Sequence, residues 1–257
     1  MRISRTMLAA LACAAAGLLG ACAHAPPRSA ELPWHDARQL VLVTPADWDT
    51  DRGTLRVYER AEHAAWREVD TFPVTIGRSG SAWGIGLHPD QPGPRKREGD
   101  GRSPAGAFAI GSAFGYAASA DTALAYAPMD RDDWCIDVDA SPLYNRIVNA
   151  RDVGAAAVAG STEPMRRDLR ADGDMRDALG FVIEHNPRGE HGAGSCIFAH
   201  LWRDGGTTAG CTAMAEDAMK RLLARLRPDA KPVFVLLPWP EYRRLQPAWQ
   251  LPPLARP

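Results

Sequence analysis

The stretch TTAGCTAM, residues 207–214, places a cysteine behind a glycine in a polar loop. It lies between a strand-like apolar run ending in His200 and a helical pattern starting near Ala215. The thiolate is the nucleophilic form of cysteine, and a helix N-terminus lowers the pKa of a thiol placed there. Gly210 lets the backbone approach a ligand closely. The N–H groups of Gly210 and Cys211 are suited to holding an oxyanion. His200 supplies a base if the chain returns beside its strand, because a Cys–His pair activates a thiol. Nucleophile, donors and base together describe acyl transfer. Each residue alone has a plainer reading: Cys211 as a small buried apolar side chain, His200 as a half-buried structural histidine.

A zinc reading starts from the same residues. Cys196, His200 and Cys211, with His185 or His191 as a fourth ligand, carry the S and N atoms that zinc prefers. Cys196 and His200 stand four apart on a predicted strand, ~13 Å along it. That separation is poor for one coordination sphere, so the sequence implies no metal.

The elements that must position these residues are mostly strands. QLVLVT (39–44), TLRVYER (54–60) and FPVTIG (72–77) are short β-rich runs broken by Pro, Asp and Gly. WREVDTFPVTI (66–76) reads as a pair of strands with a turn between them. A long polar loop follows and enters the strand AFAIG (107–111). WCIDVD, RIVNA, FVIEHN, SCIFAHLW and PVFVLLPW add further strands. Residues 215–226 give the clearest amphipathic helix, with Ala215, Ala218, Met219, Leu222, Leu223 and Leu226 on one face. Short strands, frequent turns and one strong helix predict a mainly β, largely antiparallel domain with a few helices. The Pro- and Trp-rich C-terminal tail is expected to pack over the surface.

The N-terminus carries Arg2 and Arg5, then the apolar run MLAALACAAAGLLGACA. A basic start and a short apolar stretch read as a secretory signal. The run is short for a membrane span. It ends in Leu19-Gly20-Ala21-Cys22, which resembles a bacterial lipoprotein signal cut before a lipidated cysteine. An ordinary signal cleaved after Ala23 or Ala25 is the alternative. With Ala23 following Cys22, the lipoprotein reading expects export across the inner membrane and a periplasm-facing anchor on the outer membrane. Residues 1–22 are then signal, 23–38 a tether, and 39–257 the folded domain. With 30 Lys+Arg against 31 Asp+Glu, nothing suggests a nucleic-acid partner.

Of five cysteines, Cys13 leaves with the signal and Cys22 carries lipid. Three remain in an oxidising compartment. One reading bridges Cys135 to Cys196 and leaves Cys211 free; the other keeps three reduced thiols.

CIFAHLW followed by TTAGCTAM resembles the active-site motif of L,D-transpeptidases, the YkuD-like catalytic domain. GDGRSPAGAFAI (99–110) resembles that family's strand entry, with Ser103 in place of threonine, and SPLYNRIV (141–148) is similar to a segment of one divergent branch. The resemblance spans about Gln39 to Trp239. It implies a β-sandwich-like fold, acyl transfer on peptidoglycan stem peptides, and no cofactor. It implies Cys211 as nucleophile, His200 as general base, backbone donors at Gly210 and Cys211, and Thr208 as support for the loop. Departures are Ala209, where the family commonly has His or Thr, and Ala213, where it commonly has Arg or Asn. Arg203 lies close enough in sequence to replace a lost charge. Trp202 and Trp83 are candidates for a cleft wall or for packing. Lys96 and Arg97 read as substrate contacts or as solvated loop charges, Asp100 as a turn-former, and Asn186 as a strand cap. Three outcomes follow: a transpeptidase, an L,D-carboxypeptidase on the same stems, or a non-catalytic wall-binding lipoprotein.

Overall fold

The computed structural model describes residues 32–62 and 64–254. The signal and its Cys22, with most of the tether, lie outside the described residues. Among those described, no helix is long and apolar enough to cross a membrane.

Thirteen strands follow in chain order: β1 Gln39–Pro45, β2 Arg52–Glu59, β3 Arg67–Thr75, β4 Ser81–Trp83, β5 Ser103–Gly115, β6 Tyr126–Pro128, β7 Asp133–Cys135, β8 Ile147–Asn149, β9 Glu163–Pro164, β10 Leu179–Ile183, β11 Phe198–Leu201, β12 Thr212–Met214 and β13 Val233–Leu236. Four helices accompany them: the single turns α1 Ala150–Val153 and α2 Arg167–Arg170, then α3 Glu216–Arg225 and α4 Trp239–Leu245. The large sheet runs β10-β11-β12-β3-β2-β1-β13-β5, and β5 pairs back onto β10. The mainly β expectation therefore holds, with the sheet closed on itself like a barrel. Closure satisfies backbone groups that an open sheet would leave at its edges. Most pairings are antiparallel, but β1–β13, β4–β5, β5–β6 and β11–β12 are parallel.

The core lies inside this closed sheet. β1 is buried along its whole length. From α3 the buried residues are Ala218, Met219, Leu222 and Leu223, four of the six predicted for its apolar face. A second, smaller core sits outside. There β7, β8 and β9 form a three-stranded cap. Phe114, Met129, Cys135, Met165, Cys196 and Phe198 pack beneath it, and Cys211 packs against them.

Two expectations are corrected. Residues 66–76 form one strand, β3, and Pro73 lies within it opposite Thr54. β12 pairs with β3 only at Ala213↔Thr75, so a residue without an N–H is tolerated along that otherwise unpaired flank. The folded unit begins at Leu32, ahead of Gln39. Trp34 is buried and meets Trp249 edge-on at 5.1 Å, so residues 32–38 belong to the domain and not to a tether. The tail forms α4, which buries Tyr242 and Leu245; its two prolines stand at or before the first turn, where a missing N–H costs nothing.

Truncating a large buried aromatic costs about 3–5 kcal/mol. Trp34→Ala should lose about that much stability in urea unfolding. A change near zero would return residues 32–38 to the tether.

Candidate active site

Strand β11 carries His200, and the chain then loops through residues 202–211 to enter β12 parallel to it. Because the return is parallel, the loop must run back along β11, and this brings residues 208–211 beside the strand's start. The register pairs His200 with Ala213. Cys211, two residues earlier, takes the Phe198 N–H on its Sγ at 3.3 Å and lies 3.5 Å from the Cys196 carbonyl. Phe198 and His200 alternate onto one face of β11, so Cys211 and His200 are diagonal neighbours on that face. No hydrogen bond joins them. The His200 Nδ1 is 2.7 Å from the Leu201 carbonyl, which places the proton on Nδ1 and the lone pair on Nε2.

Ser103 fixes the nucleophile loop. Its buried hydroxyl accepts from the Gly77 N–H at 2.9 Å and donates to the carbonyls of Gly210 at 2.7 Å and Cys211 at 3.0 Å. Thr208 Oγ1 accepts from the Gly210 N–H at 3.1 Å and donates to the Cys211 carbonyl at 2.7 Å. The Gly210 N–H is therefore turned inward and is not an oxyanion donor. Among the described residues, no hydrogen bond engages the Cys211 N–H, so it is the remaining donor. A Cβ on Gly210 would come to 3.1 Å of the Arg102 carbonyl oxygen, a tight contact that favours glycine there. Ala209 is exposed on the loop.

Electrostatics contradict the activation expected at a helix N-terminus. β12 separates Cys211 from α3, so the helix dipole does not reach the thiol within its first turn. Cys211 keeps part of its surface open, but the sulfur itself is crowded, and burial, reinforced by the charge of Glu163, pushes the thiol up to about 12. Burial also pushes His200 down to about 4. Both groups are neutral at rest. Sequence reasoning missed the ion cluster next to them. Arg167 pairs with Glu163 and, at 3.0 Å, with Asp177, while Arg176 pairs with Asp174. Burial raises Asp177 to about 6 despite its arginine partner. The only hint in sequence was the density of charge in RRDLRADGDMRD, residues 166–177.

A cleft of about 230 Å³ opens beside His200, lined by Arg176, Trp202, Arg203, Thr207, Thr208 and Ala213 among others. The predicted contacts Arg203 and Trp202 are thus at the site, and Arg176 joins them. A larger cavity of about 420 Å³ lies elsewhere; its charged lining residues Asp36 and Lys231 pair with each other, and neither cysteine nor histidine lines it.

Other candidates resolve into structure. Cys135 and Cys196 form a disulfide with Cα atoms 5.9 Å apart, and Cys211 is the free cysteine among the described residues. Cys196 is thereby unavailable to zinc. Both His185 nitrogens serve backbone groups, Ile85 N–H and the Ala193 carbonyl. Lys96 is buried against Asp100 at 2.6 Å and is not a solvated loop charge. Asp100 also takes the N–H groups of Arg97 and Arg102, which shapes the turn. Trp83 is core. Asn186 ties the 186–194 loop through Glu190 and Gly194.

The family model of the L,D-transpeptidase catalytic domain, YkuD, matches residues 46–235. The chain belongs to that family. No curated protein and no solved structure matches it. The family acts on peptidoglycan peptides and gives this chain the L,D-transpeptidase class of activity. Ala213, where an arginine or asparagine is common in this family, faces the cleft that Arg176 and Arg203 enter.

Ser103→Ala removes the hydroxyl partner of the Gly210 carbonyl and of the Gly77 N–H, while the Cys211 carbonyl keeps Thr208 Oγ1. The substitution should cost about 1–3 kcal/mol, read as a lower midpoint in thermal unfolding. Alkylation of Cys211 by iodoacetamide should be slower than for a free model thiol at neutral pH. Its rate should climb about tenfold per pH unit through about pH 10 without a plateau, since only thiolate reacts. A plateau at mildly acidic pH would overturn the assignment of a covered thiol.

Proposed function

We propose that the protein is a cysteine-dependent acyltransferase on peptidoglycan stem peptides, working through a thioester on Cys211. The observation that carries this reading is the parallel β11–β12 return, which sets a free cysteine diagonally beside a neutral histidine on one face. Family membership over residues 46–235 supports it.

In this mechanism the stem's scissile carbonyl, between an L-centre and a D-residue, meets Cys211 Sγ, and its oxygen takes the Cys211 N–H. The gap between a thiol near 12 and an imidazole near 4 keeps the resting pair neutral. Deprotonation therefore accompanies attack, with the thiol proton passing to His200 Nε2 as the S–C bond forms. Buried imidazolium is a strong acid, so it returns the proton to the leaving amine as the C–N bond breaks. A D-amino acid departs. An amine from a neighbouring stem then gives a cross-link, or water gives carboxypeptidase activity. A lipid on Cys22 and a periplasm-facing outer-membrane location complete this proposal.

The covered thiol favours one other reading, a wall-binding protein without turnover. Purified protein incubated with disaccharide-tetrapeptide, with products read by mass spectrometry, separates the two. Cross-linked dimer or tripeptide should form. Cys211→Ala should abolish it, and His200→Gln should lower it about 10²–10⁴-fold. Intact substrate and unchanged sacculi would leave the binding protein.

A further inference from the structure

The cleft beside His200 has a one-sided charge. Arg176 and Arg203 line it with His200, Trp202 and the threonines 207 and 208, no acidic residue is among its lining residues, and the charge of Arg176 acts on the His200 ring. Arg176 is held in a fixed orientation. Its Nε lies 2.8 and 3.1 Å from the two carboxylate oxygens of Asp174, and its Nη2 lies 2.5 Å from one of them. Asp174 is buried and also accepts the Arg176 backbone N–H at 3.0 Å. Among the described residues this leaves Arg176 Nη1 without a protein partner, on a side chain that is 32% exposed. Arg167, by contrast, is spent between Glu163 and Asp177. The Arg203 guanidinium has no protein partner among the described residues either, and its side chain is exposed. An arginine oriented by a buried aspartate, with a free donor edge in a carboxylate-free cleft, is arranged to take a carboxylate.

We propose that Arg176, oriented by Asp174 and assisted by Arg203, binds the free terminal carboxylate of the stem peptide on the leaving-group side of the scissile bond. This rests on the acyl-transfer reading above. The link is geometric. His200 protonates the leaving amine, and in an amino acid the carboxylate is attached one carbon away from that amine. A cation in the same cleft as His200 therefore meets the carboxylate of the departing residue. The protein would then select stems that end one residue beyond the scissile bond and reject bonds followed by further peptide. Arg176 and Arg203 touch substrate in this proposal; Asp174 acts as a positioning residue.

The test compares two disaccharide-tetrapeptides, one with a free terminal carboxylate and one with a terminal carboxamide, using purified full-length protein. Wild type should favour the acid by about tenfold or more in kcat/KM, since a site built for a charged partner discriminates against its neutral analogue. Arg176→Gln should lower kcat/KM for the acid by about 10- to 100-fold, mostly through KM, while leaving the amide within about twofold. Arg176→Lys should recover part of the loss, having the charge without the fork. Asp174→Asn should reduce discrimination in the same direction. Arg203→Gln, at an exposed site, gives a second variant that does not endanger folding. Equal loss for acid and amide in Arg176→Gln, or no preference in wild type, overturns the proposal and leaves the function standing. If wild type turns over neither substrate, the acyl-transfer reading fails by itself. Calorimetry with the two peptides then decides: tighter acid binding, lost in Arg176→Gln, sustains the carboxylate site, and equal binding overturns it.

Discussion

The nucleophile loop depends on one buried hydroxyl. Ser103 Oγ joins two segments that are far apart in sequence: Gly77, just past the end of β3, and the adjacent carbonyls of Gly210 and Cys211. A buried carbonyl without a partner is costly, so this tie decides where the loop can rest. Gly77 has no side chain because a Cβ would lie 2.4 Å from the Gly101 carbonyl oxygen. The loop is then stitched to the same strand end by Arg78 N–H to the Thr208 carbonyl and Thr208 N–H to the Ile76 carbonyl. The sheet, the GDGRSP entry and the cysteine loop converge at this point. A serine in place of the family's threonine keeps the hydroxyl and gives up only a methyl group.

Much of this architecture was readable in the chain. α3 carries its apolar positions at helical spacing, and it forms within a residue of the expected bounds. β1 is an unbroken apolar run and is wholly buried. The meeting of Cys211 with the His200 strand was also visible as a strand, a loop and a return. The thiol's surroundings were not visible. They come from the cap, whose strands β7, β8 and β9 are two or three residues long and leave no periodic signature. Cys211 was expected at a helix start, but a three-residue strand, too short to announce itself, stands between it and α3. Arg176 was hidden for a different reason. It is one of four arginines in the charge-dense stretch 166–177, and only folding separates the arginine with a free edge from those whose donors are spent.

The cap and the ion cluster act on the same two side chains. The cap removes water from the sulfur, and the cluster surrounds Cys211 and His200 with both signs of charge at short range. Glu163 disfavours thiolate at Cys211 and favours imidazolium at His200, while Arg167 does the reverse. These opposing influences leave desolvation dominant for both groups. The site is held neutral by burial, and reactivity waits on what enters the cleft. The disulfide contributes by joining β7 of the cap to the residue whose carbonyl faces the sulfur.

The single Ala213↔Thr75 pair closes the sheet at its narrowest seam. Above it, the outer flank of β3 has backbone groups that no strand covers among the described residues. A flank of that kind is a template on which a second molecule can stack. Here Pro73 interrupts the row of donors, and Arg67, Glu68 and Asp70 crowd the same strand with charge. Arg221 reaches across from α3 to Asp70 at 3.1 Å. The strand that frames the site is thereby made a poor partner for copies of itself. The charge and the proline keep this flank of β3 from becoming a point of assembly between copies of the chain.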